Sequence, residues 1–169
     1  MTSVKTKILV CFFSLDGNTR QIAKAIQQKL DADILELKLK NPMNTKGFLK
    51  YFMGGMQVLF RSRPPLLPLE KDLRNYQLIF FGTPVWGGNY VPAFRTLLSS
   101  IDLKKKRIAF FACCGGQSGK TFINFKKALD GNEFLGEIEF KDPLKQDQAG
   151  SREKVKHWAQ EVLGKSKSS

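Results

Sequence analysis

Ile8-Leu9-Val10-Cys11-Phe12-Phe13-Ser14-Leu15-Asp16-Gly17-Asn18-Thr19 is the stretch that decides how this chain is read. Ile8 to Phe13 is a continuous apolar run of strand length. A run without polar alternation suits a strand covered on both faces, as in a parallel sheet. Ser14 to Gly17 breaks the run, and Ile22, Ala23, Ile26 and Leu30 then recur at helical spacing. A buried strand, a short polar loop and an amphipathic helix make the opening half of a βαβ unit.

The same alternation continues outward. Ala32 to Leu39 alternates apolar and polar residues, which predicts an edge strand. Leu78 to Phe81 and Ile108 to Phe111 are continuous apolar runs and predict central strands. Phe134 to Phe140 alternates again and predicts the other edge. A last helix is expected from about Ser151 to Leu163, with Val155, Trp158, Ala159 and Val162 on one face. Five strands with helices between them predict an α/β fold, a three-layer doubly wound sandwich. Residues 1–164 are expected to form one domain and 165–169 a disordered basic tail. The segment from Asn41 to Pro68 is the least regular, with one helix expected over Gly47 to Phe60.

Composition bounds the function. The chain has 169 residues, enough for a core that needs no disulfide or metal. No apolar run is long enough to span a bilayer, and Ile8 to Phe13 is too short for a signal peptide. One histidine and three scattered cysteines, Cys11, Cys113 and Cys114, offer no zinc-ligand spacing, so no metal site is expected. The cysteines read as reduced thiols of a cytoplasmic protein. The net charge of +13 calls for an acidic partner, a nucleic acid or an anionic surface and says nothing about fold. No acidic residue lies between Glu36 and Glu70, whereas Lys38, Lys40, Lys46, Lys50, Arg61 and Arg63 do. Lys104-Lys105-Lys106-Arg107 is a second basic run.

Ligands of an open parallel sheet bind beyond the carboxyl ends of its strands. Three strand ends here carry unusual loops. Ser14, Leu15, Asp16, Gly17, Asn18 and Thr19 lead into the first helix, whose unpaired amides and dipole favour a phosphate; equally, Asp16 or Asn18 could simply cap that helix. Thr83, Pro84, Val85, Trp86, Gly87, Gly88 and Asn89 follow the third strand, where the indole could stack on a flat ring or fill the core. Cys113, Cys114, Gly115, Gly116, Gln117, Ser118 and Gly119 follow the fourth strand and offer backbone donors with little bulk, or serve as a plain connector. Gly115 to Thr121 nearly matches a nucleoside-triphosphate loop, but Cys114 stands where that pattern needs glycine. Cys113 and Cys114 could form a redox pair, although alternation along a strand would send one to the core and one to the site. His157, beside Trp158, has no motif that calls for a base.

Together the three loops resemble those of flavodoxins and flavodoxin-like FMN proteins. Ile8 to Thr19 is similar to the flavodoxin phosphate loop, and Phe80 to Gly88 to the loop after the third strand in a group of these proteins. The resemblance covers nearly the whole chain. It implies a five-stranded parallel sheet in the order 2-1-3-4-5 and one bound FMN. Ser14 to Thr19 would hold the phosphate, Thr83 to Asn89 would line the isoalloxazine with Trp86 stacked on it, and Cys114, Gly115, Gly116, Gln117 and Gly119 would line the other flank. It also implies an electron carrier that serves a redox partner protein, here one with an acidic surface. The rival readings are an NAD(P)H-dependent FMN or quinone reductase, and a flavin-free basic module for nucleic acid or an acidic protein. Two departures stand out. Asp16 replaces a hydroxyl residue of the common pattern, and its carboxylate is expected to turn outward from a phosphate. The familiar electron-carrier flavodoxins are acidic, and this chain is strongly basic.

Overall fold

A computed structural model describes residues 6–41 and 62–168. In chain order the elements are β1 (Ile8–Phe12), α1 (Asn18–Leu30), β2 (Asp33–Glu36), a 3-10 turn (Leu73–Asn75), β3 (Leu78–Trp86), β4 (Asn89–Tyr90), α2 (Pro92–Ser100), β5 (Arg107–Cys114), α3 (Thr121–Ala128), β6 (Glu133–Lys141) and α4 (Gln148–Ser168). The five longer strands are parallel and lie in the order β2-β1-β3-β5-β6. Counting parallel strands alone, this is the expected 2-1-3-4-5 sheet. β4 is an addition to it, a short antiparallel return on the end of β3.

The side chains of β1 alternate between two cores, one on each face of the sheet. Leu9 and Cys11 join Phe81, Phe110, Phe94 of α2 and Phe125 of α3. Ile8, Val10 and Phe12 join Phe80, Phe111, Ile22 and Ile26 of α1, and Val155, Ala159 and Val162 of α4. Every residue of β1 is buried, as a strand between two helical layers must be. Phe111 lies across Gly82 so closely that a Cβ there would sit 2.0 Å from the ring.

The elements differ from the sequence expectation at their ends. β2 stops at Glu36, because from Lys38 onward the backbone pairs instead with the segment around Leu66. β3 runs five residues past Phe81, through Thr83 and Pro84, which pair in register with Ala112 and Cys113 of β5. Proline is tolerated at position 84 because β1 has already ended, its last pair being Phe12 with Gly82. α4 continues to Ser168, so the tail expected to be disordered is helical over 165–168. Ser166 is buried there, and Lys165 Nζ donates to the Leu135 carbonyl. The helix expected over Gly47–Phe60, its stripe of Phe48, Phe52, Met56 and Phe60, and the cations Lys46, Lys50 and Arg61 lie outside the described residues.

Candidate functional site

The parallel strands bring the loops that follow β1, β3 and β5 to one edge of the sheet. The first is shaped by hydrogen bonds within the chain. Gly17 precedes α1 with φ 97°, a left-handed conformation that lets the strand turn directly into the helix. Ser14 Oγ accepts from the amides of Gly17 and Arg20, both at 3.2 Å. The Asp16 carboxylate accepts from the Asn18 amide at 3.0 Å and from Asn18 Nδ2 at 2.9 Å. This corrects the expectation that Asp16 turns away: the residue is exposed, yet its carboxylate sits on the start of the helix. The unpaired amides and positive dipole end at that position attract an internal anion as readily as an external one.

Thr19 has no exposed surface, and its hydroxyl makes no hydrogen bond of acceptable geometry. A buried hydroxyl left in that state costs about 1–3 kcal/mol, so it marks a place where a ligand acceptor would be stabilised. The Arg20 side chain is held elsewhere, by two bonds to Glu36. Leu15 is partly buried against the α2–α3 core.

The second loop is a strand that folds back on itself. Gly87 and Gly88 take φ of 55° and 72°, the pair of positive values that a tight primed hairpin turn needs. Val85 and Trp86 then pair with Tyr90 and Asn89. Thr83 is fully buried; its Oγ1 donates to the Pro84 carbonyl and accepts from the Val91 amide, fixing the base of the hairpin. Asn89 Oδ1 accepts from the Tyr90 amide at 2.8 Å, and the Tyr90 ring stacks on Phe125 of α3 at 4.3 Å. Trp86 is only 6% exposed, with its ring edge-on to Phe13 at 6.0 Å.

The third loop locks onto the second. The Lys120 amide donates to the Gly88 carbonyl at 2.8 Å, and a Cβ at Gly119 would approach Gly88 Cα to 2.7 Å. Gly115, Gly116 and Gln117 are exposed at the edge. The Ser118 amide donates to Glu139 Oε2, and hydrogen bonding by Ser118 holds that carboxyl below its usual range.

Burial holds both adjacent thiols in their protonated form at neutral pH. Burial pushes Cys113 up to about 12, and the negative charge of Asp16 adds to the effect while the Thr19 hydroxyl opposes it. Burial also raises Cys114, whose Sγ lies 3.8 Å from the Phe140 carbonyl. Both are buried, at 4% and 6% exposure, but Cys113 belongs to the core under α1 and α4 whereas Cys114 belongs to neither core. His157 is an exposed surface residue 3.4 Å from Glu161.

One part of this edge escaped the sequence reading. The turn after β6 reaches across to the first loop, and the Leu144 amide donates to Asn18 Oδ1 at 2.9 Å. Leu144 also packs over Gly17. Asp142 takes a positive φ of 35°, and its amide donates to the Cys114 carbonyl. Asp142-Pro143 directly after the last strand was the available signal, since every loop at the carboxyl edge faces the same side of the sheet.

The donor set fits a phosphate ester: a helix start, the hydroxyls of Ser14 and Thr19, the Asn18 amide group and a glycine that admits close approach. The one misfit is the Asp16 carboxylate. Beside this edge the glycine hairpin and the Gly115–Gly119 loop present backbone groups with little side-chain bulk, and Gly116 opens on free space.

Comparison with known proteins agrees with the fold. The flavodoxin family model matches residues 7–162. A flavodoxin of Maridesulfovibrio salexigens is 24% identical, covering 95% of this chain and 99% of its own. A candidate flavoprotein from Bacteroides uniformis superposes with a TM-score of 0.78 at 22% identity, over 92% of this chain and 98% of that one. A Lactobacillus acidophilus flavoprotein solved in complex with FMN gives 0.64 at 24% identity, over 86% and 99%. Among the described residues no helix is long and apolar enough to cross a membrane. With the match running through all five parallel strands and most of α4, the chain belongs to the flavodoxin family.

Proposed function

We propose that this protein binds FMN at the carboxyl edge of its sheet and carries electrons to a partner protein with an acidic surface. The observation that carries the reading is the buried Thr19 hydroxyl at the start of α1, which makes no well-formed hydrogen bond and faces the Cys113 thiol, inside a loop rich in phosphate donors. A phosphate monoester placed there accepts from Thr19, Ser14 and the helix amides, and no lysine or metal is needed to hold it. FMN fits better than FAD because the donors suit one terminal phosphate. The FMN complex of the Lactobacillus acidophilus relative supports the same choice of cofactor.

The bound flavin supplies the redox chemistry, and the chain supplies position and field. The Gly87-Gly88 hairpin and Gly115–Gly119 would line the ring with backbone groups. Gly88, anchored by the Lys120 amide, holds the hairpin at fixed distance from the third loop. Trp86, near the ring but turned edge-on to Phe13, would form the apolar wall behind the hairpin rather than an exposed lid.

The visible spectrum of the purified protein, followed by anaerobic addition of NADH or NADPH, tests this. A yellow protein that reduced nicotinamide does not bleach is the expected shuttle. Rapid bleaching makes it a reductase. A colourless protein that takes up no FMN removes the flavin reading altogether.

A further inference from the structure

We infer that Asp16 is a specificity-determining residue of this site, an internal anion that weakens the hold on the flavin's phosphate and narrows the advantage of FMN over riboflavin. The inference rests on the flavin reading of the site and deepens it.

Three observations converge on Asp16. Its two carboxylate oxygens already take the amide and the side-chain N–H of Asn18, donors that a phosphate at the start of α1 would need. A ligand phosphate must therefore displace a negative group or sit beside it. The nearby cation of the loop does not offset that charge, because Arg20 is committed to Glu36. The field at the floor of the site has the same sign. Asp16 and Asp142 both oppose ionisation of the Cys113 thiol, which lies beneath the loop beside Thr19.

Asp16 also has a structural tie. By holding Asn18 Nδ2 it orients Asn18 Oδ1 toward the Leu144 amide, so the first loop and the turn after β6 are clasped through one side chain. A neutral replacement that still accepts from the Asn18 amide separates this tie from the charge. Asp16→Asn retains an acceptor oxygen, and Asp16→Thr supplies a hydroxyl.

Loss of fluorescence as FMN or riboflavin binds, titrated against the wild-type chain, Asp16→Asn and Asp16→Thr, tests the proposal. Both variants should bind FMN about tenfold more tightly than the wild type, the scale expected when one like charge is removed near a doubly charged group at a protein surface. Riboflavin, which lacks the phosphate, should change little, so the ratio of the two affinities rises. A ratio unchanged from wild type, with flavin still bound, overturns the role of Asp16 alone. Equal gains for both ligands mean that the loop has merely relaxed, and also overturn it. Failure of all three proteins to bind either flavin overturns the assignment of the site itself, and the role of Asp16 with it.

Discussion

Gly119 is packed so tightly on Gly88 that no side chain fits at position 119: a Cβ on Gly119 would lie 2.7 Å from Gly88 Cα and 3.0 Å from its carbonyl oxygen. Gly119 also has φ 57°, where a side chain is strained whatever the space. The contact fuses the hairpin after β3 to the start of α3. Gly119→Ala should therefore cost about 1–3 kcal/mol of stability, from strain and overpacking together. It should also weaken flavin binding, since the hairpin must move to accommodate the methyl. Thermal melts and a flavin titration read the two effects. A variant as stable as wild type that binds flavin equally well would show that the two loops are not coupled.

The Thr19 hydroxyl provides a sharper test of the phosphate site than Ser14. Ser14 Oγ caps two amides, so its loss disturbs α1 directly. The Thr19 hydroxyl only faces the Cys113 thiol, without a well-formed hydrogen bond. Thr19→Val, which keeps the buried methyl and removes only the hydroxyl, should leave stability nearly unchanged. It should weaken FMN by roughly 1.5–3 kcal/mol, the range for a hydrogen bond to a charged group, and leave riboflavin much less affected. Equal weakening of both flavins would move the phosphate elsewhere.

Trp86 is buried and edge-on to Phe13, so its effect on a neighbouring ring is testable without emptying the core. Trp86→Phe preserves an aromatic wall and removes the indole, the stronger quencher of flavin emission. Bound flavin should become brighter in this variant while affinity falls modestly. Emission identical to wild type would place the flavin ring out of contact with residue 86.

The chain order of strands and helices was legible because buried parallel strands are continuous apolar runs and their helices show a separate period. Ile8 to Phe13 and Ile108 to Phe111 could hardly be anything else. Element ends were less legible. Thr83-Pro84 reads as a turn in sequence, yet it extends β3, because β1 has stopped and β5 is still alongside. Gly164 reads as a helix stop, yet α4 passes through it, because Ser166 and Lys165 find partners on the body of the domain. At the site, the residues of the first loop were legible but their mutual bonds were not. Asp16 turning onto Asn18 depends on the competition between solvent and a helix start, and Leu144 reaching Asn18 depends on a contact across 126 residues of sequence. No local pattern encodes such a contact.

The buried thiols make stability fall at alkaline pH. In the folded chain burial holds Cys113 up to about 12, against an ordinary value of 9.0, and burial raises Cys11 as well. Between these values the unfolded chain ionises its thiols and the folded chain does not. Fewer protons are then bound in the unfolded state, so stability drops as pH rises. The contribution is fully present below pH 9 and is lost progressively from about pH 9 toward 12, at up to about 1.4 kcal/mol per pH unit for each thiol. Urea melts at pH 8 and pH 10 should show the decline, and Cys113→Ala should flatten it. Native Cys113 should also resist alkylation at pH 8. A slope unaffected by Cys113→Ala would assign the alkaline loss to other groups.

Two groups of cations sit at opposite ends of the sheet, and their placement predicts which lysines the flavin can sense. Lys38, Lys40 and Arg63 are exposed just beyond the carboxyl end of β2, on the same edge as the site loops. Lys104, Lys105 and Lys106 precede Arg107, where β5 begins, and so lie at the amino edge. Lys104 and Lys106 direct their ammonium groups to the carbonyls of Asp130 and Arg74, which leaves their charge unneutralised by those contacts. β5 has eight residues, or about 26 Å at the usual rise per residue. That separation is roughly three Debye lengths at physiological salt, where screening acts over about 8 Å. Reduction adds negative charge to the flavin, so cations at the carboxyl edge favour the reduced state and cations at the amino edge do not. Replacing Lys38, Lys40 and Arg63 by glutamine should lower the potential of the final reduction step. It should also slow encounter with an acidic partner, most clearly at low salt. Lys105→Gln should change neither, because Lys105 is exposed at the far edge. Potentiometry of both variants, with transfer rates measured across a range of ionic strength, decides the matter. Equal effects from the two ends would mean that total charge governs the chemistry. No effect from Lys38, Lys40 and Arg63 would leave the basic surface to serve some purpose other than electron transfer.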